Sequence, residues 1–395
     1  MDLLDLWFRT LAACAPDVLV RRVLPHDAPR NVVAIGKCAA RLLDGVAQEV
    51  EIARAFVAVP EGYGLPSTNA EIAIGGHPDM TSASFDAGRK LVEFVDSCDD
   101  MLFLISGGGS ACVEVPIDGI SERELSEINA TIVASGLPIG EINIVRKHLS
   151  AIKGGRLAQR VRGRSVTLIY SDVSRGALAD VASGPTLPDR STIADAAAIA
   201  ARVGIHPRTF GDTVKQLDRS DVKLIADNET LLAAAQHLTQ TQCGGGRFGR
   251  HEAGEAPAST LTIECDVATA AQQLFDAARN LQAGQLLAAG GEPTVIRRGD
   301  GRGGRCTELA ARFALLALEA GDTNFDALFG SSDGVDGTSG VAGILLRGIP
   351  PIDRSWANRE LARSNSLAVA EAAGEAIRIP PTGNNLRDLY LLARR

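Results

Sequence analysis

Short, uninterrupted apolar runs alternate with longer amphipathic stretches along the first two hundred residues. NVVAIG (31–36), RAFVAVP (54–60), MLFLISGGGSA (101–111) and SVTLIYSD (165–172) begin as β-branched and aliphatic runs and end in turn residues. Runs of this length without polar alternation suit strands buried on both faces. Between them, CAARLLDGVAQEV (38–50), SASFDAGRKLVEFV (82–95) and ERELSEINATIVAS (122–135) repeat apolar residues at helical spacing. This alternation predicts a parallel, doubly wound sheet. Ligands of such sheets gather at the carboxyl ends of the strands. Here those ends carry Gly36-Lys37, Ser106 through Ser110, and Ser171-Asp172.

The pattern changes after Leu224. TLLAAAQHLTQTQ (230–242) reads as a helix, and CGGGRFGRHEAGEAPAST (243–260) as a mobile surface loop. A second α/β unit follows in LTIEC (261–265), QLLAAGGEPTVI (285–296), the helix CTELAARFALLALEA (306–320) and ALFGSSDGVDG (327–337). A last helix is expected in NLRDLYLLARR (385–395), with Thr382-Gly383 and Asn384-Asn385 at its start. The N-terminal stretch MDLLDLWFRTLAACA reads as an amphipathic helix, with Leu3, Leu4, Leu6, Trp7 and Leu11 on or near one face. A chain of 395 residues is too long for one ordinary core. The expected architecture is α/β with two lobes: a Rossmann-like doubly wound domain over 1–225 and a second α/β domain over 226–395, with the active site in the cleft between them.

Composition narrows the function. The net charge of -8 and an aromatic content of 4% offer no general nucleic-acid surface. Anionic ligands must therefore be held by local basic groups. Seven cysteines, scattered and with no C-x-x-C pair, speak against a disulfide framework or a thiolate zinc site. The same cysteine pattern makes a reducing cytoplasm the expected setting, and no apolar run is long enough to cross a membrane.

Chemistry concentrates at the strand ends. Gly36-Lys37 places a cation where a helix opens, a position that favours anions. The three glycines of LISGGGSACVEVP (104–116) let backbone approach a ligand and offer an amide nest, with Ser106 and Ser110 adding hydroxyls. The loop has neither the Lys-Ser/Thr of a Walker motif nor a G-x-G-x-x-G fingerprint. INIVRKHLSAIKGGRLA (142–158) gathers Arg146, Lys147, His148, Lys153 and Arg156, either as a solvated face or as a cleft lining. Asp172 could take a hydroxyl proton, hold magnesium, or cap its own turn. GGEPTVIRRGDGRGGRCTELAAR (290–312) runs a glycine-rich loop with Arg302 and Arg305 into a helix, which suits phosphoryl transfer. In SSDGVDGTSGVAG (331–343), Asp333 and Asp336 suit magnesium or ribose hydroxyls. A nucleotide-dependent transferase acting on a small acid fits these features.

In their order, AIGKCA, GGHPD, LISGGGSA, VRKHLSAIKGGRLA, SDV with ASGPT, DN (227–228), GGEPTV, GGRCTE, SDGVDG, SNS (364–366) and PTGNN resemble the class II glycerate 2-kinases nearly end to end. That family has an N-terminal glycerate kinase domain and a MOFRL-type C-terminal region, about 285–392 here. The resemblance implies transfer of phosphate from ATP, with Mg2+, to the 2-hydroxyl of D-glycerate. It implies Lys37 and Arg305 as catalytic cations with Asp172 beside them. Ser106, Gly107, Gly108, Gly109, Ser110, Arg146, Lys153, Arg156, Glu292 and Asn385 would bind substrate or phosphate, and Asp333 and Asp336 the metal. Expected partners are a short hydroxy acid and a nucleotide, with no nucleic acid and no membrane, in a chain compatible with a homodimer. Some relatives are labelled hydroxypyruvate reductases, so an NAD(P)H oxidoreductase and a non-catalytic sugar-acid binder are the rival readings. The chain departs from the family at SRGALAD (174–180), where paired acids are usual, and at Cys306-Thr307, where two amide side chains are usual. If Arg175 in the first departure faces the cleft, either a more acidic substrate such as tartronate or glycerate bound with altered affinity is expected; the alternative is an arginine that points to solvent.

Overall fold

The computed structural model describes residues 2–174, 176–243 and 260–395. Arg175 and nearly all of the loop expected at 243–260 lie outside the described residues. The chain divides into two compact units, Pro16–Asp227, and Met1–Ala15 together with Asn228–Arg395.

In Pro16–Asp227 the strands are β1 (Asn31–Ile35), β2 (Arg54–Pro60), β3 (Glu71–Gly75), β4 (Met101–Ser106), β5 (Ser165–Tyr170) and β6 (Ser220–Ala226). They lie in the order β3-β2-β1-β4-β5-β6, and every pairing is parallel. The four uninterrupted runs of the sequence are β1, β2, β4 and β5. They are buried along nearly their whole length because both faces are covered. Val33, Ile35, Phe56, Phe103 and Ile105 form a core with Leu91 and Phe94 of the helix Ser82–Asp96. Val32, Ala34, Leu102 and Leu104, on the opposite face, are fully buried too. The sequence pattern did not disclose β3 and β6. Both are edge strands with exposed positions, Asp221 through Leu224 among them, so neither carries a continuous apolar run. The strand order turns back between β1 and β4, which makes their carboxyl ends the topological switch point.

The second unit carries β7 (Thr260–Ile263), β8 (Leu286–Gly291), β9 (Phe325–Ser331), β10 (Gly343–Arg347), β11 (Glu375–Ile377) and β12 (Asp388–Arg394). Their order is β11-β10-β9-β12-β8-β7; only β7 and β8 pair in parallel. The expected last helix is therefore corrected to a strand. Leu389, Tyr390, Leu391 and Leu392 are all 0% exposed. A short apolar run does not by itself distinguish helix from strand. Here the run sits at the sheet centre between β8 and β9, where both faces are covered. Tyr390 and Leu392 face a core shared with the helices Val267–Arg279 and Arg305–Glu319.

The N-terminal helix Leu3–Ala13 belongs to this unit, which differs from the division expected at 225. It packs against the helix Asn228–Cys243, β9 and β12. Trp7 is fully buried, and a Cβ on Gly330 would lie 2.7 Å from its Nε1. Glycine in β9 thus makes room for an indole supplied from the start of the chain. Among the described residues no helix is long and apolar enough to cross a membrane.

Candidate active site

At the switch point, β1 and β4 end in loops that interlock. Gly36 has φ +109, and a Cβ there would stand 2.4 Å from the Ser106 carbonyl oxygen and 2.6 Å from that of Gly107. The Lys37 amide donates to Gly107 O at 2.9 Å. The buried Ser106 hydroxyl accepts from Cys38 N and donates to Ile35 O, both at 3.1 Å. Ser110 Oγ lies 2.7 Å from Ser183 Oγ, and Ser183 donates to Asn143 Oδ1 at 2.9 Å. That leaves Ser110 as donor to Ser183. Both serine protons thus point into the protein rather than at a ligand. The loop's remaining assets are its glycines and the amides that open the turn from Gly108 (φ +81). Lys37 runs across this loop, since a Cβ on Gly108 would meet Lys37 Cγ at 2.8 Å.

The far side of the loop is held by strained backbone. Ala182, Ser183 and Gly184 have φ of 51, 59 and 60, so two residues with side chains occupy the left-handed region. Each costs on the order of 1 kcal/mol, sustained only where surroundings over-determine the conformation. Ser183 is 0% exposed and tied to Ser110 and Asn143, which supplies that determination.

The basic stretch turns out to be interior rather than a solvated face. Lys147 bridges Asp180 at 3.1 Å and Asp189 at 3.2 Å. Lys153, 1% exposed, pairs with Glu114, itself 1% exposed. Burial lowers the Lys153 pKa against the pull of Glu114. Arg146 donates to Asn129 Oδ1 at 2.8 Å, and Arg156 to the Lys147 carbonyl at 2.6 Å. Gly155 docks on the turn after the strained segment through Gly155 N to Gly184 O at 2.8 Å. Burial lowers the His148 pKa, and Gly211 O and Ser191 Oγ stand at its two ring nitrogens. Arg146, Lys153 and Arg156 are therefore occupied in fixing the segments around the loop, and a ligand role would require them to exchange partners.

In the second unit Arg305 is the first residue of its helix. Its Nε and Nη2 face the two oxygens of Asp388 at 3.1 and 3.3 Å, and Nη1 faces Glu292 at 2.6 Å. Glu292 also reaches Arg387 at 3.4 Å, and Arg387 pairs with Glu264 at 2.7 Å. Burial raises the Asp388 pKa and Glu292 adds to this, against the pull of Arg305. Burial works against the Arg305 cation, but Asp388 and Glu292 outweigh it and hold its pKa well above the usual guanidinium value. One third of the Arg305 side chain stays exposed, so the cation is fixed and still reachable.

Asp336 fits a cap rather than a metal ligand. Its two oxygens accept from Cys306 N and Thr307 N, each at 2.9 Å, at the start of the Arg305 helix. Asp333 Oδ1 accepts from Ser331 Oγ at 2.8 Å and Val335 N at 2.9 Å. Among the described residues no group of three or more His, Cys, Asp or Glu side chains could hold a metal ion. Asn385 is buried in the turn that enters β12, where Thr382 Oγ1 donates to Ser332 O at 2.5 Å. Asp172 is half-buried just beyond the end of β5.

Comparison with known proteins finds a family model in each half of the sequence. Residues 2–217 match the family described as "Domain of unknown function (DUF4147)", and residues 285–388 match the MOFRL family. The glycerate 2-kinase of Sulfurisphaera tokodaii is 31% identical over 93% of this chain and 90% of its own. The D-glycerate 2-kinase of Thermotoga maritima is 30% identical over 97% of this chain and 95% of its own. The chain belongs to the glycerate kinase family with a MOFRL C-terminal domain. A crystal structure of glycerate kinase from Thermotoga maritima superposes with a TM-score of 0.83 at 29% identity, covering 99% of this chain and 98% of that one.

Two family departures prove to be interior. Cys306 is 0% exposed in the apolar core, and Thr307 is 0% exposed with its hydroxyl accepting from Gly304 N at 2.8 Å. Their side chains face the protein, not the mouth of the glycine-rich loop. Conversely, the sequence reading gave no role to Tyr63 or His77, which the structure places near Lys37. Lys37 Nζ stands 5.6 Å from the Tyr63 ring centroid, and a Cβ on Gly108 would meet His77 Cδ2 at 3.5 Å. Tyr63 follows β2, which neighbours β1 in the sheet order, and His77 follows β3, the next strand out. The strand-end rule would have found His77 had β3 been legible, and it reaches Tyr63 through β2.

Proposed function

We propose that this chain transfers the γ-phosphoryl group of ATP to the 2-hydroxyl of D-glycerate. The observation that carries the reading is Lys37, laid across the Gly107–Ser110 loop at the switch point of an all-parallel sheet. In the proposed step the substrate oxygen bonds to the γ-phosphorus as the bond to the β-phosphate oxygen breaks, and ADP departs. Asp172 orients the hydroxyl and receives its proton. Lys37 and Arg305 neutralise charge on the transferring group, where positioning and electrostatics supply most of the catalysis. The amides of the glycine loop hold an anion, either the substrate carboxylate or a phosphate.

Asp336 is 1% exposed and each of its oxygens accepts from a helix amide, an environment that suits a cap better than a magnesium ligand. No step is assigned to a protein-held metal. Magnesium would arrive on the nucleotide's phosphates, which need few protein carboxylates. The reductase alternative lacks support at the turn after β1, which reads Gly36-Lys37-Cys38 in place of three spaced glycines.

The test is ADP release with D-glycerate, tartronate and erythronate, with and without EDTA, followed by treating the product with enolase. Magnesium-dependent turnover giving a product that enolase accepts directly supports the reading. ADP release absent for all three acids, or steady NADH oxidation with hydroxypyruvate, would overturn it.

A further inference from the structure

We propose that Tyr63 is a positioning residue that holds the Lys37 ammonium in place, with the bare backbone of Gly108 as the other half of the clamp. The inference rests on the reading that Lys37 acts on the transferring phosphoryl group. Lysine carries its charge on a flexible four-carbon stem, and a catalytic cation must not wander. Two surfaces restrict it here. A Cβ on Gly108 would lie 2.8 Å from Lys37 Cγ and 3.4 Å from Cε, so the stem rests on a residue with no side chain. The ammonium lies 5.6 Å from the centroid of the Tyr63 ring, within the range where an aromatic quadrupole attracts a cation.

The ring itself is anchored to the element that carries the lysine. Tyr63 sits in the loop after β2, and β2 pairs with β1 in the sheet. Asp44 fixes that loop by accepting from Ser67 N and Thr68 N at 2.9 Å each and from Thr68 Oγ1 at 2.8 Å. Asp44 lies on the helix Ala39–Ala47, which opens two residues after Lys37. Through Asp44, the loop that carries the ring is tied to the helix that follows the lysine. The ring face is the part of Tyr63 that meets the ammonium, and it is the working part of the clamp.

Tyr63→Leu, Tyr63→Phe, Asp44→Ala and Lys37→Ala would be compared with the unaltered chain in two measurements. One is kcat and KM for ATP and glycerate. The other is the rate at which acetic anhydride acylates Lys37, followed by mass spectrometry, which needs no turnover. Tyr63→Leu is expected to lower kcat about 5- to 10-fold with KM changed by less than about twofold, and to speed Lys37 acylation about threefold. Tyr63→Phe should stay near the unaltered chain in both. Asp44→Ala should shift both in the same direction as Tyr63→Leu, by less, and keeps the test available if that variant folds poorly. Unchanged acylation and kcat in Tyr63→Leu, or a Phe variant as impaired as the Leu variant, overturns the clamp. Full turnover in Lys37→Ala would instead overturn the assigned role of Lys37, while the acylation rates would still report on the clamp.

Discussion

At the switch point, the site is built from backbone: Gly36, Gly107, Gly108 and Gly109 bring main chain close, and one lysine lies over them. Around Arg305 the site is built from side chains: a guanidinium gripped by Asp388 and Glu292, with Arg387 and Glu264 completing the network. The first cation lies on glycine backbone beside an aromatic face, and the second is gripped by paired charge. A backbone site fails when a side chain is added. An ion-pair site fails when one is taken away.

The largest effect follows from adding a methyl group to the first site. Gly36→Ala would force a left-handed φ on a residue with a Cβ and drive that carbon to 2.4 Å from a main-chain oxygen, which cannot swing aside. The expected loss is about 4 kcal/mol of stability together with most activity. A urea unfolding curve close to that of the unaltered chain would show that the loops are not interlocked as described.

Removing each cation separates the two modes. Lys37→Ala and Arg305→Ala should each lower kcat by a factor on the order of 10² or more, about 2.7 kcal/mol in the barrier. Their stabilities should differ. Lys37→Ala should shift the unfolding midpoint less than Arg305→Ala does. Arg305→Ala leaves Asp388 fully buried without its bidentate partner and should cost about 3 kcal/mol. Equal unfolding midpoints in the two variants would erase the distinction.

The same contrast explains what could be read in advance. Glycine runs at strand ends stand out in a sequence, so Gly36-Lys37 and the SGGGS loop were legible, as were the four buried strands around them. The network around Arg305 draws on Glu264, Glu292, Arg387 and Asp388, which the sheet pairings of β8 with β12 and with β7 bring together. No local pattern announces it. Asp388 was read as part of a helix because a central strand and a buried helical turn share one apolar signature. Asp336 showed itself as an acid followed by glycine, a pattern that magnesium sites and helix caps both use. The choice depends on whether a helix end lies opposite, and that is tertiary information. The basic run at 146–156 was ambiguous for a related reason. Its acidic partners, Glu114, Asp180 and Asp189, lie more than thirty positions from the lysines they neutralise.

Asp336 also gives the second unit a pH signature. Burial, reinforced by Asp388, raises its pKa to about 6 from 3.8, although the Thr307 and Cys306 amides pull it down. Between those values the folded chain holds the proton and the unfolded chain does not. This group's contribution to stability is therefore full below about pH 4 and falls as pH rises through 6, by about 2–3 kcal/mol. Asp336→Asn should flatten that part of the stability curve. Urea midpoints measured from pH 4 to 7 test this, and an unchanged slope would mean that the carboxyl does not titrate as described.

The smallest effect concerns Thr307, where the family usually has an amide side chain. Thr307 Oγ1 accepts from Gly304 N at 2.8 Å and lies 3.0 Å from Ser366 Oγ, in a space where the side chain is 0% exposed. A Cβ on Gly303 would stand 2.1 Å from Ser366 Oγ, so the pocket around this hydroxyl pair is already full. Thr307→Ala removes the acceptor for a helix-entry amide and should cost about 1 kcal/mol, with kcat changed by less than about twofold. Thr307→Gln restores the usual family chemistry but adds volume where none is free, so it should cost a similar amount and bring no gain in turnover. A Gln variant that unfolds at the same urea concentration as the unaltered chain and turns over several-fold faster would mean that this position faces the ligand after all. It would then join the ion-pair site as a working residue rather than the cap that supports it.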